Sequence, residues 1–256
     1  MIINLEAFKD KKVIVTGSST GIGFHTALEF LELGANVVFH GNSSTQGLEK
    51  KIHSINTNNN FKVIKSDFTI LKNVNYFMDE AIDYLNGLDI LINNAGTMIG
   101  RYSLDKISEN EFLKIFDLNA KSAFFTTKKS IDIFKNQKHG CIVNVSTISA
   151  RTGGSTGSSV YAASKAFVSG ITRSLVSELS PFNIRINAIS PGTIDTKFHE
   201  QYSSKEKLEA TRKKMPMQRL GRAEDCVGPI IFLSSESMSG YITGQVLEIN
   251  GGQFIS

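Results

Sequence analysis

The sequence predicts an α/β protein in which one doubly wound sheet of seven parallel strands carries helices on both faces. Short apolar runs alternate with helix-length segments along the whole chain, and this alternation is typical of βαβ units. The runs are continuously apolar, which indicates strands that are buried on both sides. Because the 256 residues include no proline-rich or serine-rich linker, we expect a single domain over residues 1–256.

The predicted elements follow one another at regular intervals. The strand candidates consist mainly of valine, isoleucine and leucine, and they span residues 13–15, 37–39, 63–64, 90–92, 142–145, 184–189 and 246–249. Apolar residues at helical spacing predict the helices between them, which span residues 22–33, 71–85, 111–134, 161–179 and 225–233. A polar helix pattern lies between the second and third strands. The order is the one that a parallel sheet requires.

The composition excludes several other classes of protein. With 41% hydrophobic and 20% charged residues, the chain has globular rather than disordered usage. Its apolar runs are too short to cross a membrane and its start shows no signal-peptide pattern, so we expect a cytoplasmic protein without a membrane partner. A net charge of +4 without clustered basic and aromatic residues argues against a nucleic-acid partner. Two cysteines without ligand spacing predict no disulfide framework and no metal site.

A glycine-rich turn follows the first predicted strand and opens the first predicted helix, with the spacing G-x-x-x-G-x-G. Small residues there let the main chain approach a pyrophosphate, whose charge is stabilised by the free N–H groups of a helix N-terminus. In an alternating chain this position favours a bound dinucleotide, as in Rossmann folds, over a simple tight turn. The candidate cofactor residues are Gly17, Ser18, Ser19, Thr20, Gly21, Ile22 and Gly23.

The end of the second strand bears on the choice between NAD(H) and NADP(H). NAD enzymes usually carry an acidic residue about 20 residues beyond the glycine turn, where it binds the adenosine ribose. Residues 39–44 contain no Asp or Glu, and donors such as Asn42 and Ser43 would accept a 2′-phosphate that a carboxylate would repel. The same stretch has no arginine to bind that phosphate through two hydrogen bonds. NADP(H) is therefore favoured over NAD(H), which stays the alternative.

Tyr161 and Lys165 are four positions apart in a predicted helix, so they lie on one helix face. A nearby ammonium stabilises a phenolate, which we expect to lower the pKa of Tyr161 towards the working range of a general acid. Tyr102 and Lys106 share this spacing, so the spacing alone is not specific. Tyr161 differs because it lies downstream of a buried strand that ends in hydroxyl residues, namely Ser146, Thr147 and Ser149.

These features together resemble the short-chain dehydrogenase/reductase family, in its compact single-domain branch. The resemblance runs from about residue 10 to residue 252. Besides the glycine turn and the Tyr161–Lys165 pair, it rests on matches spread along the chain at Asp67, Asn119 and residues 93–96, 191–192, 219–222, 239–244 and 250–252. These motifs are jointly specific for the family.

The resemblance implies an enzyme that transfers a hydride between a nicotinamide cofactor and a carbonyl carbon. Tyr161 would exchange a proton with the substrate oxygen. Lys165 would support Tyr161 and hold the nicotinamide ribose, and Asn119 would position a water molecule that links Lys165 to solvent.

A hydroxyl beside the tyrosine would polarise the substrate carbonyl. Relatives usually supply it from the second serine of a Ser-Ser pair, whereas this chain reads Ser146-Thr147. The resemblance therefore assigns this role to Thr147, with Ser146 and Ser149 as alternatives.

For the cofactor, the resemblance places Asp67 and Phe68 at the adenine. Further candidates follow the fourth and sixth strands and would contact the middle and the nicotinamide end, namely Asn94, Ala95, Gly96, Pro191, Gly192, Ile194 and Thr196. In the family, the helices that correspond to residues 111–134 and 161–179 pack between subunits. A homo-oligomer, either a tetramer or a dimer, is therefore expected.

Cations near the expected mouth of the active site bear on the substrate. Arg101, Arg151 and His199 each follow a motif at the carboxyl ends of the strands, where ligands enter this kind of fold. They favour a small polar anion such as a keto-sugar acid or uronate, and the surrounding segments resemble bacterial sugar and uronate reductases. The alternative is that these cations are solvated or pair with Glu200 and Glu206. A 3-oxoacyl-carrier-protein reductase is the alternative substrate class. A non-catalytic NADP-binding regulator is the alternative from another class of protein.

Overall fold

The computed structural model describes residues 5–42, 45, 47–55 and 60–255. Within these residues, seven strands form one sheet in which every neighbouring pair is parallel. The strands are β1 (Lys12–Val15), β2 (Asn36–Gly41), β3 (Phe61–Lys65), β4 (Ile90–Asn93), β5 (Gly140–Val145), β6 (Ile184–Pro191) and β7 (Val246–Ile249). Each strand falls on a predicted apolar run, so the predicted doubly wound sheet is confirmed.

The strand order is β3-β2-β1-β4-β5-β6-β7. The chain begins at the centre with β1, proceeds outward to β3, and then crosses back to place β4 beside β1. Val15 of β1 accordingly pairs with Phe39 on one side and with Ile92 on the other. In open α/β sheets, ligands bind outside the carboxyl ends of the strands at the point where the order reverses. That point lies here between β1 and β4.

The helices of the described residues connect these strands. They are α1 (Gly21–Glu32), α2 (Leu48–Ile55), α3 (Leu71–Leu85), α4 (Glu109–Phe116), α5 (Ser122–Gln137), α6 (Ser149–Thr152), α7 (Ser159–Ser174), α8 (Val176–Leu179), α9 (Lys197–Tyr202), α10 (Lys205–Lys214), α11 (Ala223–Ser234) and α12 (Glu236–Ser239). The single helix predicted over residues 111–134 is divided into α4 and α5 by a π-helical turn at Asp117–Lys121. The helix predicted over residues 161–179 is likewise divided into α7 and α8.

Helices cover both faces of the sheet and enclose a core on each. On one face α1 and α11 pack together over the sheet, with Phe30 and Phe39 fully buried beneath them. On the other face α3 and α5 pack together, and they bury Phe77 and Phe134. Burying each of these side chains contributes about 1.5–3 kcal/mol to stability. Since both faces are occupied by core, the strand ends are the part of the sheet that can form a site.

Among the described residues, no helix is long and apolar enough to span a membrane. Cys141 and Cys226 are both buried and unpaired. Burial raises the pKa of the Cys141 thiol to about 11 and that of Cys226 to about 12. Both residues therefore act as small core side chains rather than as reactive thiols.

Candidate active site

A cavity of about 430 Å³ opens at the carboxyl edge of the sheet. Its walls come from the segments that follow β1, β4, β5 and β6, together with α7, α9 and α10. Residues predicted for catalysis, cofactor binding and substrate binding line it together, namely Ile22, Asn94, Gly96, Arg101, Thr147, Tyr161, Lys165, Pro191, Gly192, Ile194, Thr196 and His199. The fold brings them together because the carboxyl ends of parallel strands meet at one edge.

Tyr161 and Lys165 project from one face of α7, which packs against β5 and β6. Tyr161 is partly buried at the cavity wall, whereas Lys165 is only 3% exposed. The Lys165 Nζ atom donates a hydrogen bond to the main-chain oxygen of Val145 at the end of β5, 2.8 Å away. This bond fixes the ammonium group beside the cavity.

Burial shifts the pKa values of these two groups in opposite directions. It raises the pKa of Tyr161 above its usual range, against a smaller lowering by the hydrogen bond with Thr147, because a buried phenolate loses its hydration. It lowers the pKa of Lys165 to about 8, because here the charged form is the ammonium. Burial therefore governs the Tyr161 pKa in this structure, and the net lowering predicted from Lys165 is not found. Tyr161 is a protonated phenol at neutral pH, which is the form that can donate a proton.

The three hydroxyl residues after β5 have different surroundings. The Thr147 side chain is hydrogen-bonded to Tyr161. Ser146 is buried and directed away, since its Oγ lies 2.7 Å from Ser169 Oγ and donates to the main-chain oxygen of Lys165 at 3.1 Å. Ser149 lies one turn further on, and its main-chain N–H donates to Thr147 Oγ1 at 3.3 Å. Of the three hydroxyls, Thr147 is therefore the one placed against the phenol.

Asn119 lies in the π-helical turn, where one extra residue per turn alters the direction of the side chains. Its Nδ2 atom donates to the main-chain oxygens of Thr97 and Ile115, both at 2.8 Å. Its Oδ1 atom is buried and has no hydrogen-bond partner among the described residues. A Cβ atom built on Gly96 would lie 2.4 Å from this oxygen and 2.9 Å from Lys165 Nζ. The orphaned acceptor and the ammonium therefore face the same space beside Gly96.

The glycine turn packs so closely on neighbouring main chain that side chains are excluded at Gly17 and Gly23. A Cβ on Gly17 would lie 2.7 Å from Ala95 Cα, and one on Gly23 would lie 2.5 Å from Gly17 O. Asn94 Nδ2 donates to Gly17 O at 2.8 Å, which joins the turn to the end of β4. The Ser18 side chain is buried and donates to Val15 O, and the Ser18 N–H donates to His40 O at 2.7 Å, so both groups are bonded within the protein.

The remaining residues of the turn border a second groove, of about 610 Å³. Ser19, Thr20 and Gly21 line it together with Lys51 from α2. Gly41, the last residue of β2, approaches the same turn, since a Cβ there would lie 2.9 Å from Ser19 Cβ. A side chain at position 41 would therefore displace the turn.

The residues predicted for the adenosine end of the cofactor directly follow β2 and β3. Asn42 is exposed and shares a cavity of about 330 Å³ with Asp67. Asp67 Oδ1 accepts hydrogen bonds from the N–H and hydroxyl of Thr69 at 2.9 and 2.8 Å. The Phe68 side chain is core, at 1% exposure, so only its main chain could contact a ligand. Ser43 lies outside the described residues.

The predicted nicotinamide residues close the cavity from the opposite side. Pro191 ends β6, and the Gly192 N–H donates to Ile249 O of β7 at 2.9 Å. Ile194 is buried, and Thr196 immediately precedes α9. A Cβ on Gly21 would lie 3.6 Å from Thr196 Cγ2. This segment therefore lies against the N-terminus of α1, at the side of the cavity.

Arg101 and His199 meet at the mouth of the cavity with a third basic residue, Lys207 of α10. Arg101 Nη1 and Lys207 Nζ both donate to Ser155 Oγ, at 2.9 and 3.0 Å. Burial lowers the pKa of His199 and of Lys207, and the charge of Arg101 lowers both further. Lys207 is absent from the sequence-based candidates, because nothing in the local pattern of a highly charged helix distinguishes it from its neighbours.

Arg151 does not join this cluster, contrary to the sequence-based expectation. Its Nη1 atom lies 3.8 Å from Glu248 Oε1. Its guanidinium carbon lies over the Phe254 ring, 5.0 Å from the centroid. These two contacts hold the Arg151 side chain against Glu248 and Phe254, away from the cavity.

A family model of the short-chain dehydrogenase type, described as enoyl-(acyl carrier protein) reductase, matches residues 17–253. The chain belongs to the short-chain dehydrogenase/reductase family. Curated relatives include L-rhamnose 1-dehydrogenase (NAD(P)(+)) of Azotobacter vinelandii, 35% identical over 255 residues, which cover 96% of this chain and 98% of the relative. A 3-oxoacyl-[acyl-carrier-protein] reductase of Aquifex aeolicus is 32% identical over 248 residues, with coverage of 95% and 97%.

Solved structures of this family show the same architecture. A crystal structure of NADH-dependent reductase A1-R′, responsible for alginate metabolism, superposes with a TM-score of 0.87 at 31% identity and covers 98% of this chain and 100% of its own. The same reductase in complex with NAD superposes with a TM-score of 0.85. As a short-chain dehydrogenase/reductase, the chain is an oxidoreductase acting on CH–OH and carbonyl groups.

Proposed function

We propose that this short-chain dehydrogenase/reductase interconverts a carbonyl and a secondary alcohol on a small sugar acid, such as a keto-sugar acid or uronate. The observation that carries the substrate class is the cluster of Arg101, His199 and Lys207 at the mouth of the cavity that Tyr161 lines. Guanidinium and ammonium groups bind carboxylates through short, charge-assisted hydrogen bonds. A cationic mouth above a proton donor therefore suits a substrate that has a carboxylate at one end and a carbonyl at the other.

Each catalytic residue has a role that its position supports. A nicotinamide held beside Ile194 and Thr196 would supply or accept the hydride at the substrate carbon. Tyr161 donates its phenolic proton to the carbonyl oxygen in reduction and takes it back in oxidation. The Lys165 ammonium stabilises the phenolate that Tyr161 becomes, and the Thr147 hydroxyl donates a hydrogen bond to the substrate oxygen. The orphaned Asn119 Oδ1 would accept from a water molecule that carries protons towards Lys165.

We propose NADP(H) as the favoured cofactor and NAD(H) as the alternative. No carboxylate follows β2 to repel a 2′-phosphate, and the exposed Asn42 offers it an amide donor. Ser19 and Thr20 also share their groove with Lys51, a cation that the sequence pattern did not single out. The relatives' names include both an NAD(P)(+) enzyme and an NADH-dependent one, so the choice rests on the residues of this chain.

The sugar acid is favoured over an acyl-carrier-protein thioester by two considerations. The acyl group of a carrier thioester has no carboxylate of its own for Arg101 and Lys207 to bind. Relatives named for L-rhamnose and for alginate metabolism also indicate that carbohydrate substrates occur close to this sequence. The relatives named as 3-oxoacyl-[acyl-carrier-protein] reductases keep that activity as the second candidate.

The test compares kcat/KM for a deoxy-hexulose uronate, its uncharged sugar analogue and an acetoacetyl thioester, with NADPH and with NADH. We expect the uronate to be preferred, and Arg101→Ala or Lys207→Ala to lower its kcat/KM roughly tenfold or more while sparing the uncharged analogue. Arg151→Ala is the matched control, expected to change kcat/KM less than about twofold because Arg151 lies outside the cavity lining and its ion pair with Glu248 is long, at 3.8 Å. Preference for the thioester would replace the sugar acid. Cofactor binding without turnover of any carbonyl would indicate a regulator.

We also propose that the protein is a homo-oligomer, a dimer or a tetramer. An aromatic cluster lies on the outer side of α4, α5 and α7, where Phe112 is 44% and Phe167 is 38% exposed and Phe116 and Phe124 pack beside them. Exposed aromatic patches of this kind are typical of protein interfaces. Phe167→Glu should shift the sedimentation equilibrium towards monomer, and an unchanged assembly would exclude this patch as the contact.

A further inference from the structure

His40 is a buried titratable residue that none of the proposed roles uses. It is the penultimate residue of β2 and is 3% exposed. The main chain of His40 makes two hydrogen bonds to the glycine turn. The His40 N–H donates to Ser18 Oγ at 2.8 Å, and the His40 oxygen accepts from the Ser18 N–H at 2.7 Å. The residue therefore lies directly behind the turn that would hold the dinucleotide.

The imidazole ring makes a second set of bonds, in two directions. Nδ1 accepts a hydrogen bond from the Gly17 N–H at 2.9 Å, and Nε2 donates to the main-chain oxygen of Ser66 at 2.9 Å. Only the neutral ring with its proton on Nε2 can make both bonds. The ring is also stacked on Phe68, with centroids 3.9 Å apart. One side chain thus joins the glycine turn to the segment that follows β3.

These two segments are the walls of the adenosine half of the cofactor site. Gly17 begins the phosphate-binding turn with a φ of +63°, a conformation that favours glycine. Ser66 precedes Asp67 and Phe68, the residues proposed for the adenine. The main chain of β2 already bonds to both segments, since the Ser66 N–H donates to Gly41 O at 3.0 Å and Ser18 bonds to His40. The imidazole adds a direct side-chain link between the turn and the adenine wall.

Burial supports the neutral form of the ring. It lowers the pKa of His40 to about 4, against smaller opposing effects of the Ser66 hydrogen bond and the nearby Asp67 charge. At neutral pH the ring is therefore uncharged, and Nδ1 is free to accept from Gly17.

We propose that His40 is a positioning residue for the adenosine half of NAD(P): through Gly17 and Ser66 it sets the separation of the two walls without touching the cofactor. This inference rests on the dinucleotide binding of the proposed function and is independent of the substrate. It predicts that changes at His40 alter cofactor affinity more than turnover.

The test measures Kd for NADPH and NADH from the fluorescence of the reduced nicotinamide, on the purified full-length chain, together with kcat at saturating cofactor and Tm. His40→Leu removes both ring bonds and should raise Kd for both cofactors roughly tenfold, with kcat at saturating cofactor nearly unchanged. His40→Asn places an amide oxygen close to the position of Nδ1 and should recover most of the affinity without recovering Tm. His139→Leu is the control, since that ring bonds to Asp89 at 2.9 Å before β4 and β5 begin, at the opposite edge of the sheet, and its Kd should equal that of the unaltered protein.

The outcomes separate the possibilities. Unchanged Kd in His40→Leu, or Kd values in His40→Leu and His40→Asn that follow Tm alone, would overturn the positioning role. If His40→Leu does not fold, the comparison of His40→Asn with His40→Gln decides, because glutamine reaches towards Ser66 rather than Gly17; the asparagine variant must bind more tightly. Failure of the unaltered chain to bind either cofactor would instead contradict the proposed function.

Discussion

The two halves of the carboxyl edge are built differently. In the half formed by β4, β5 and α7, functional side chains such as Tyr161 and Lys165 are held in place by hydrogen bonds and burial. In the half formed by β1 and β2, the decisive feature is a lack of side chains, at Gly17, Gly23 and Gly41. The first half presents groups that would move a proton, and the second is closely packed main chain before the N-terminus of α1. Substitutions in the first half should therefore change kcat, and substitutions in the second should change cofactor affinity.

The largest effect should follow from Tyr161→Phe, which removes the proton donor of the first half. We expect kcat to fall by roughly 10²–10⁴, the usual worth of general acid catalysis, while Kd for NADPH stays within about twofold of its original value. Tyr102→Phe is the matched control, because Tyr102 has the same spacing to Lys106 but lies outside the helices, where its phenol bonds to Glu111. A near-normal kcat in Tyr161→Phe would contradict the assignment of proton transfer to the half formed by β4, β5 and α7.

Thr147→Val should lower kcat by about 10², since it removes the hydroxyl that would donate to the developing oxyanion. Thr147→Ser keeps the hydroxyl and should retain most of the activity. Ser146→Ala is the control, because Ser146 bonds to Ser169 rather than to Tyr161. If Ser146→Ala lost more activity than Thr147→Val, the catalytic hydroxyl would be reassigned.

In the half formed by β1 and β2, the buried His40 should make the free energy of unfolding depend on pH. Between about pH 6.5 and pH 4 the unfolded chain protonates His40 while the folded chain does not. The free energy of unfolding should therefore fall by about 3 kcal/mol as the pH falls through this window, and the full contribution should be present above it. His40→Asn has no imidazole to protonate and lacks this pH dependence. When the free energy of unfolding is measured by urea denaturation at pH 4 to 7, the values for the unaltered protein and for His40→Asn should therefore converge at low pH. Parallel curves would contradict the burial of a neutral ring.

The smallest effect should be a change of cofactor preference. An acidic residue at position 41 is ruled out as a test, because its Cβ would meet Ser19. Asn42→Asp instead places a carboxylate on the exposed residue after β2, and repulsion of about 1 kcal/mol should lower the NADPH-to-NADH ratio of kcat/KM five- to tenfold. Asn42→Ser is the neutral control. A better kcat/KM with NADH in the unaltered protein would show that the missing carboxylate does not set the preference.

The sequence alone was sufficient to predict the seven strands and most of the cavity wall. Continuous apolar runs identify buried strands, and residues directly after such runs must meet at the carboxyl edge of a parallel sheet. Gly17, Thr147 and Ile194 lie where that rule places them. The order of residues along the chain is enough to show which of them come directly after a strand.

The direction of each side chain, and its distance from the others, were decided only by the tertiary structure. Ser146 and Thr147 are neighbours in sequence, yet one bonds to Ser169 within the protein and the other to Tyr161. The π-helical turn that directs Asn119 towards Gly96 left no mark in the apolar pattern. These outcomes depend on which elements pack against each other.

The cationic residues show the same division between sequence and structure. The sequence selected Arg101 and Arg151 alike, because both follow motifs at the edge where ligands bind. In the structure Arg101 reaches Ser155 at the cavity, whereas Arg151 lies against Glu248 and Phe254. The sequence by itself thus determined the sheet and the edge at which its functional residues gather. Tertiary packing decided which side chains face the cavity, because a long side chain takes its direction from partners that are distant along the chain.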